Sequence, residues 1–127
     1  MKILYVYTNI NGQHADSFAD GISMIMAVTK KAGHQIKQAQ IFEMSEYSTF
    51  KDELKSYKPD VIGFTAVSSQ FSFVADLCVI AKEIFPKVVT VCGGIHPTLY
   101  PECIMEAPSL DVIFRGDSEV PFLNFLK

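Results

Sequence analysis

Residues 61–94, VIGFTAVSSQFSFVADLCVIAKEIFPKVVTVCGG, decide the fold. The stretch opens with Val61-Ile62-Gly63-Phe64-Thr65-Ala66, apolar at both parities, as expected of a strand buried on both faces. Over 73–85, Val74, Leu77, Cys78, Ala81, Ile84 and Phe85 fall on one helical stripe, and Pro86 ends it. Residues 88–92 form a second apolar run, stopped by Gly93-Gly94. Strand, amphipathic helix and strand make one crossover unit, whose hand in a parallel sheet is right-handed.

The same alternation extends in both directions. Residues 3–7 are a compact apolar strand, followed by a polar loop over 8–13. A helix is predicted over 16–31, with Phe18, Ile22, Ile25, Met26 and Thr29 at helical spacing. Lys30 and Lys31 suit its dipole, and Gly33 stops it. Residues 34–42 alternate and read as a more polar strand, 49–57 as a short helix, and Lys58-Pro59-Asp60 as a turn. Downstream, 95–108 is a Pro-bearing connection with at most a short helix near Glu102 to Glu106. Residues 111–115 are a fifth strand, and 118–127 begin another helix. Five strands alternating with helices predict a three-layer α/β sandwich with a parallel sheet. The polar second strand belongs on an edge, which selects the flavodoxin-like (Rossmann-like) order 2-1-3-4-5.

Composition agrees with one folded domain. The 127 residues are 49% hydrophobic and 20% charged, with a net charge of −3. A chain of this size buries roughly two-thirds of its unfolded surface without a disulfide or metal staple. Mild acidity argues against nucleic acid, which is bound by neutralising phosphates. Three cysteines do not make a disulfide framework and suit a reducing compartment. Asn9, Asn11 and Gln13 interrupt the N-terminal apolar run before signal-peptide length, and no run approaches the ~20 apolar residues of a membrane span. A soluble, cytoplasmic protein is the expectation.

In doubly wound sheets ligands sit beyond the carboxyl ends of the strands, where the winding reverses. The first such loop carries Asn9, Ile10, Asn11 and Gly12; it lacks both nucleotide-binding glycine patterns, and Gly12 by itself needs no more than a turn. Phosphorelay is not expected, because Thr8-Asn9 and Thr65 stand where acidic residues would be required. The third strand ends in Thr65, Ala66, Ser68 and Ser69, short and hydroxyl-bearing side chains that leave room for a ligand or cap the next helix. Gly93 and Gly94 let the backbone approach a flat ligand without intervening side chains. His96 follows, as a ligand, a base or a loop histidine bonded to backbone. At the fifth strand, Gly116 permits close approach, while Asp117 or Ser118 caps a helix whose dipole Glu119 suits.

Zinc at Cys92, His96 and Cys103 is not expected, because the spacing matches no standard pattern and a fourth ligand is missing. No Ser/His/Asp arrangement, carboxylate pair or Cys-x-x-Cys pair emerges. No catalytic residue and no metal ligand is therefore assigned.

Three segments together resemble the N-terminal cobalamin-binding domain of cobalamin-dependent radical SAM proteins. They are Lys58-Pro59-Asp60-Val61-Ile62-Gly63-Phe64-Thr65, Gly93-Gly94-Ile95-His96-Pro97-Thr98 with Pro101-Glu102, and Asp111-Val112-Ile113-Phe114-Arg115-Gly116-Asp117-Ser118-Glu119. The resemblance covers essentially the whole chain. It implies a corrin held over the carboxyl ends of the strands, with its dimethylbenzimidazole tail between sheet and helices near residues 65–69, Gly93, Gly94 and Gly116. Gly116-Asp117-Ser118-Glu119 replaces the family's common Gly-Glu-Gly-Glu, and Cys103 replaces a frequent Glu. The methionine-synthase motif Asp-x-His-x-x-Gly is absent around His14, which implies base-off cobalamin without a histidine ligand, over Asn9, Ile10 and Asn11. Cys78, Cys92 and Cys103 cannot form the Cys-x-x-x-Cys-x-x-Cys cluster motif. S-adenosylmethionine and a 4Fe-4S cluster would belong to a radical SAM domain in cis, so the chain reads as an inactive N-terminal module cut from a larger enzyme of methyl transfer or related radical chemistry. The alternative is a flavodoxin-like domain that has lost its cofactor and serves substrate recognition or interdomain contact. An open mouth at Thr65 to Ser69 and Gly93-Gly94 favours the first reading; one filled by Phe71, His96 or Tyr100 favours the second.

Overall fold

The computed structural model describes residues 1–8, 10, 20–65, 68–115 and 119–126. Five strands, β1 (Lys2–Thr8), β2 (Gln35–Ile41), β3 (Val61–Thr65), β4 (Val89–Gly93) and β5 (Val112–Ile113), form one sheet in the order β2-β1-β3-β4-β5. Every pairing is parallel. The helices are α1 (Asp20–Lys31), α2 (Tyr47–Tyr57), α3 (Phe71–Ile84), α4 (Ile95–Leu99) and α5 (Glu119–Leu126), with 3-10 turns at Met44–Glu46, Ser68–Gln70 and Pro101–Glu106. This is the flavodoxin-like sandwich expected from the alternation.

Alternation along each strand divides the core in two. Leu4, Val6, Ile62, Phe64 and Cys92 face Phe50 and Leu54 of α2 and Phe71, Val74, Leu77, Cys78 and Ala81 of α3. Ile3, Tyr5, Val61 and Val91 face the other way, against Phe122 and Leu126 of α5, with Ile25 and Met26 of α1. Gly63 lies on this second face because the Tyr5 ring covers it; a Cβ there would meet that ring at 3.2 Å. The Tyr5 hydroxyl lies 3.0 Å from Thr29 Oγ1 of α1, and its ring meets Phe122 edge-on at 6.2 Å. One side chain thus docks both helices onto the sheet. Burial outweighs the Thr29 hydrogen bond and raises the Tyr5 phenol to about 12.

Two local expectations change, and the expected end of the helix before 58–60 holds. The fifth strand is shorter than 111–115, although bonds from Asp111 N–H to Thr90 and from Phe114 N–H to Cys92 carbonyls extend its alignment at both ends. The connection after β4 holds α4 as well as the 3-10 turn near Glu102. Pro97 is no obstacle there, since first-turn N–H groups have no helical acceptor. Helix α2 ends at Lys58 in the left-handed region (φ 54°), where the following Pro59 disfavours further right-handed helix.

Candidate functional site at the carboxyl end of the sheet

Tyr7, Thr65 and Gly93 lie side by side across the carboxyl ends of β1, β3 and β4, on the α1/α5 face. All three are half-buried, so a ligand can reach them. Beside them, Thr8 ends β1 on the opposite face at 3% exposure, and its hydroxyl has no hydrogen-bond partner. A buried polar group without a partner costs free energy, which an incoming donor or acceptor would relieve.

Gly94 turns the chain out of β4 at φ 104° and ψ −167°, a conformation that side chains with a Cβ rarely adopt. Gly93 is the last residue of β4 and needs no such freedom; of the two glycines singled out in the sequence, only Gly94 does. Its carbonyl accepts from Thr98 Oγ1 at 2.7 Å and Thr98 N–H at 3.3 Å, which fixes α4 against the turn. The Arg115 guanidinium donates to the Thr98 carbonyl from Nη2 and Nε at 3.2 and 3.3 Å, joining the end of β5 to the same helix.

On the α3 side, Phe71, His96 and Tyr100 form a series of rings, with centroids 4.7 and 5.7 Å apart. Phe71 belongs to the core, His96 is half-buried and Tyr100 is exposed. The series is packed from α3 outward, whereas Thr65 and Gly93 belong to the α1/α5 face. Carboxylates at Glu106 and then Glu102 raise the Tyr100 phenol.

The described site residues otherwise fall as follows. Ile10 is buried at 2% exposure and Ser69 is exposed; Ser68 opens the 3-10 turn before α3, and Glu119 opens α5. Asn9, Asn11, Gly12, Ala66, Gly116 and Asp117 lie outside the described residues, as do His14 and Ser118. Sequence reasoning missed Gln70, whose buried carboxamide bonds the Ile10 backbone from 60 residues away, and the unpartnered hydroxyl of Thr8. The one available signal was their polarity next to apolar element patterns.

Cys78, Cys92 and Cys103 are free, buried thiols in the α2/α3 core. Burial raises all three above the ordinary thiol range, Cys78 to about 12. Among the described residues, no group of three His, Cys, Asp or Glu side chains is placed to hold a metal ion, and no helix is long and apolar enough to cross a membrane.

A family model, that of the B12 binding domain, matches residues 14–126. The chain belongs to the B12 binding domain family. This B12 binding domain is 30% identical to the anaerobic magnesium-protoporphyrin IX monomethyl ester cyclase of Rubrivivax gelatinosus, over 99% of the chain and 24% of that protein. It is 28% identical to the cytidylyl-2-hydroxyethylphosphonate methyltransferase of Streptomyces wedmorensis, over 84% of the chain and 24% of that protein. The B12 binding domain thus spans about a quarter of the length of these curated relatives. Among solved structures it is similar to a cobalamin-binding protein from Desulfitobacterium hafniense, at a TM-score of 0.74 and 12% identity, covering 98% of this chain and 57% of the other. At that identity the likeness speaks for the fold.

Proposed function

We propose that this B12 binding domain holds cobalamin for a radical SAM enzyme of methyl transfer or related radical chemistry, the cofactor being bound base-off without a histidine ligand. The observation that carries the reading is Gly94, which presents bare backbone at the carboxyl end of β4, beside half-buried Thr65 and Gly93. The residues fit a large amide-rich cofactor. Thr8 offers an unpartnered buried hydroxyl, and Thr65 a half-buried one. With them, Asn9, Asn11, Gly12, Ser68, Ser69, Gly116 and Asp117 would surround the corrin and its tail. The small residues on the α1/α5 face favour that face for the tail.

Reduced cobalamin supplies a cobalt nucleophile able to take a methyl group from S-adenosylmethionine. The chain's own part is to bind, orient and shield. His34 is placed away from the candidate site, since its ring lies at the amino end of the sheet, 3.3 Å from the N-terminal amine of Met1. The relatives' greater length supports a radical SAM domain in cis, which would hold S-adenosylmethionine and the 4Fe-4S cluster. The three free thiols support a cytoplasmic setting.

The rings of Phe71, His96 and Tyr100 favour a second reading, a flavodoxin-like domain without cofactor used in substrate recognition or interdomain contact. Titration of the purified chain with hydroxocobalamin, followed by gel filtration and EPR of the Co(II) form, separates the two. Retained corrin with no nitrogen superhyperfine splitting is the expected result. Loss of all corrin on the column supports the second reading, and splitting from an axial protein nitrogen overturns the base-off, histidine-free part.

A further inference from the structure

In a sheet of order 2-1-3-4-5 the winding direction reverses between β1 and β3, and the loops that leave these two strands flank the crevice so formed. One side chain bridges that crevice. The Ile10 N–H donates to Gln70 Oε1 at 2.8 Å, and Gln70 Nε2 donates to the Ile10 carbonyl at 3.0 Å. Both residues are buried, at 2% and 4% exposure. Gln70 also stands at the N-cap position of α3 but makes no side-chain cap bond there. Its carboxamide is directed instead to a backbone segment 60 residues earlier, where it closes a two-bond ring of the kind one β-strand makes with another.

We propose that Gln70 is a positioning residue for the cobalamin site. By fixing Ile10 it sets the course of the backbone that follows β1 beside the corrin, and it ties that backbone to the segment that carries Thr65, Ser68 and Ser69. The inference rests on the cobalamin reading above. Side-chain packing of Ile10 into the α2/α3 core fixes the loop's apolar residue, while the amide ring fixes its backbone orientation. A loop held before the ligand arrives loses less freedom on binding.

The test uses the purified 127-residue chain with Gln70→Leu, which removes the carboxamide and both of its hydrogen bonds, and Gln70→Glu, which when ionised keeps an acceptor for the Ile10 N–H but no donor for its carbonyl. Phe50→Leu, in the core under α2, is the control for lost stability alone. Each chain is melted, titrated with hydroxocobalamin and examined by EPR as Co(II). Gln70→Leu should bind roughly tenfold or more weakly, in line with two buried backbone groups left unpaired, and should change the Co(II) signal. Gln70→Glu should fall between it and the wild type, while Phe50→Leu lowers the melting temperature and keeps wild-type affinity and signal. If Gln70→Leu does not fold, Gln70→Glu decides, with an unchanged affinity and signal overturning the inference. A wild-type chain that binds cobalamin, beside a folded Gln70→Leu of equal affinity and signal, overturns the role of Gln70 alone. A wild-type chain that binds none removes the cobalamin reading and this inference with it.

Discussion

At the amino end of the sheet, Asp60 accepts from the Lys2 N–H through its carboxylate at 2.9 Å, donates its own N–H to the Lys2 carbonyl and accepts from the Val89 N–H. Asp111 does the same for the neighbouring strands, taking the Thr90 N–H at 2.9 Å and the Lys82 ammonium at 2.7 Å. At the carboxyl end no carboxylate of the described residues plays that part. There the strands finish in a hydroxyl without a partner, two glycines and a carboxamide that grips a loop. Asp60 and Asp111 brace the amino ends of the strands within the fold, and the buried Thr8 hydroxyl at the carboxyl end is left without a partner. On the proposed cobalamin reading, the same strands are braced at one end and bind at the other.

The two glycines at positive φ among the described residues test this division most strongly, because they share a backbone conformation and differ in place. Gly33 (φ 97°) precedes β2 at the amino end, with no atom within 4 Å of a Cβ position, and Gly94 (φ 104°) follows β4 at the other. Valine at either position should cost about 1–2 kcal/mol of stability from backbone strain, read from urea denaturation. Gly94→Val should also weaken hydroxocobalamin binding on the order of a hundredfold, about 2.7 kcal/mol, and Gly33→Val should leave it unchanged. Equal affinities would abolish the proposed role of Gly94.

A smaller effect, on stability alone, belongs to Asp111→Ala, which strands the Thr90 N–H and the Lys82 ammonium. The expected loss is about 2 kcal/mol, with cobalamin affinity intact. Burial would raise the Asp111 carboxyl, but the Lys82 hydrogen bond, the Thr90 N–H and the Lys82 charge outweigh it and hold it below its ordinary value of 3.8. A carboxyl lowered in the folded state adds stability above its unfolded pKa, and that increment disappears as pH falls through the folded value. The difference between wild type and Asp111→Ala should therefore shrink on acidification below about pH 4, in denaturant titrations at a series of pH values. With its side chain 38% exposed, the ion-pair share of the effect is screened by solvent and is the lesser part. A difference independent of pH would assign the whole effect to neutral hydrogen bonding.

The smallest change should also be the most telling in sign. Thr8→Val replaces an unpartnered hydroxyl with a methyl of similar shape, so the free chain should gain up to about 1 kcal/mol. Hydroxocobalamin should then bind several-fold more weakly, as isothermal titration would register. A stabilised chain with unaltered affinity would confine Thr8 to the core.

The fold was legible because strands buried on both faces and a single amphipathic stripe over α3 leave few alternatives, and because the polarity of β2 places it at the edge. The site was legible only where chemistry shows in residue type, as at Gly94. Gln70 and Thr8 escaped notice because their meaning lies in partners, present or lacking, far along the chain. Helix α4 was hidden by Pro97, which forbids a helix interior but not its first turn. The fifth strand was overextended since five suitable residues were read as paired, whereas pairing at an edge depends on where the neighbouring strand ends.

The three thiols buried in the α2/α3 core give the chain a clock. Buried and held in their protonated form, Cys78, Cys92 and Cys103 are poor nucleophiles while the fold is closed. A thiol reagent in excess would modify them at the rate at which the core opens, so each labelled chain records one excursion. Because Cys92 lies in β4 just before the Gly93-Gly94 turn, a ligand seated on that turn would slow the clock in proportion to how firmly it holds the sheet shut.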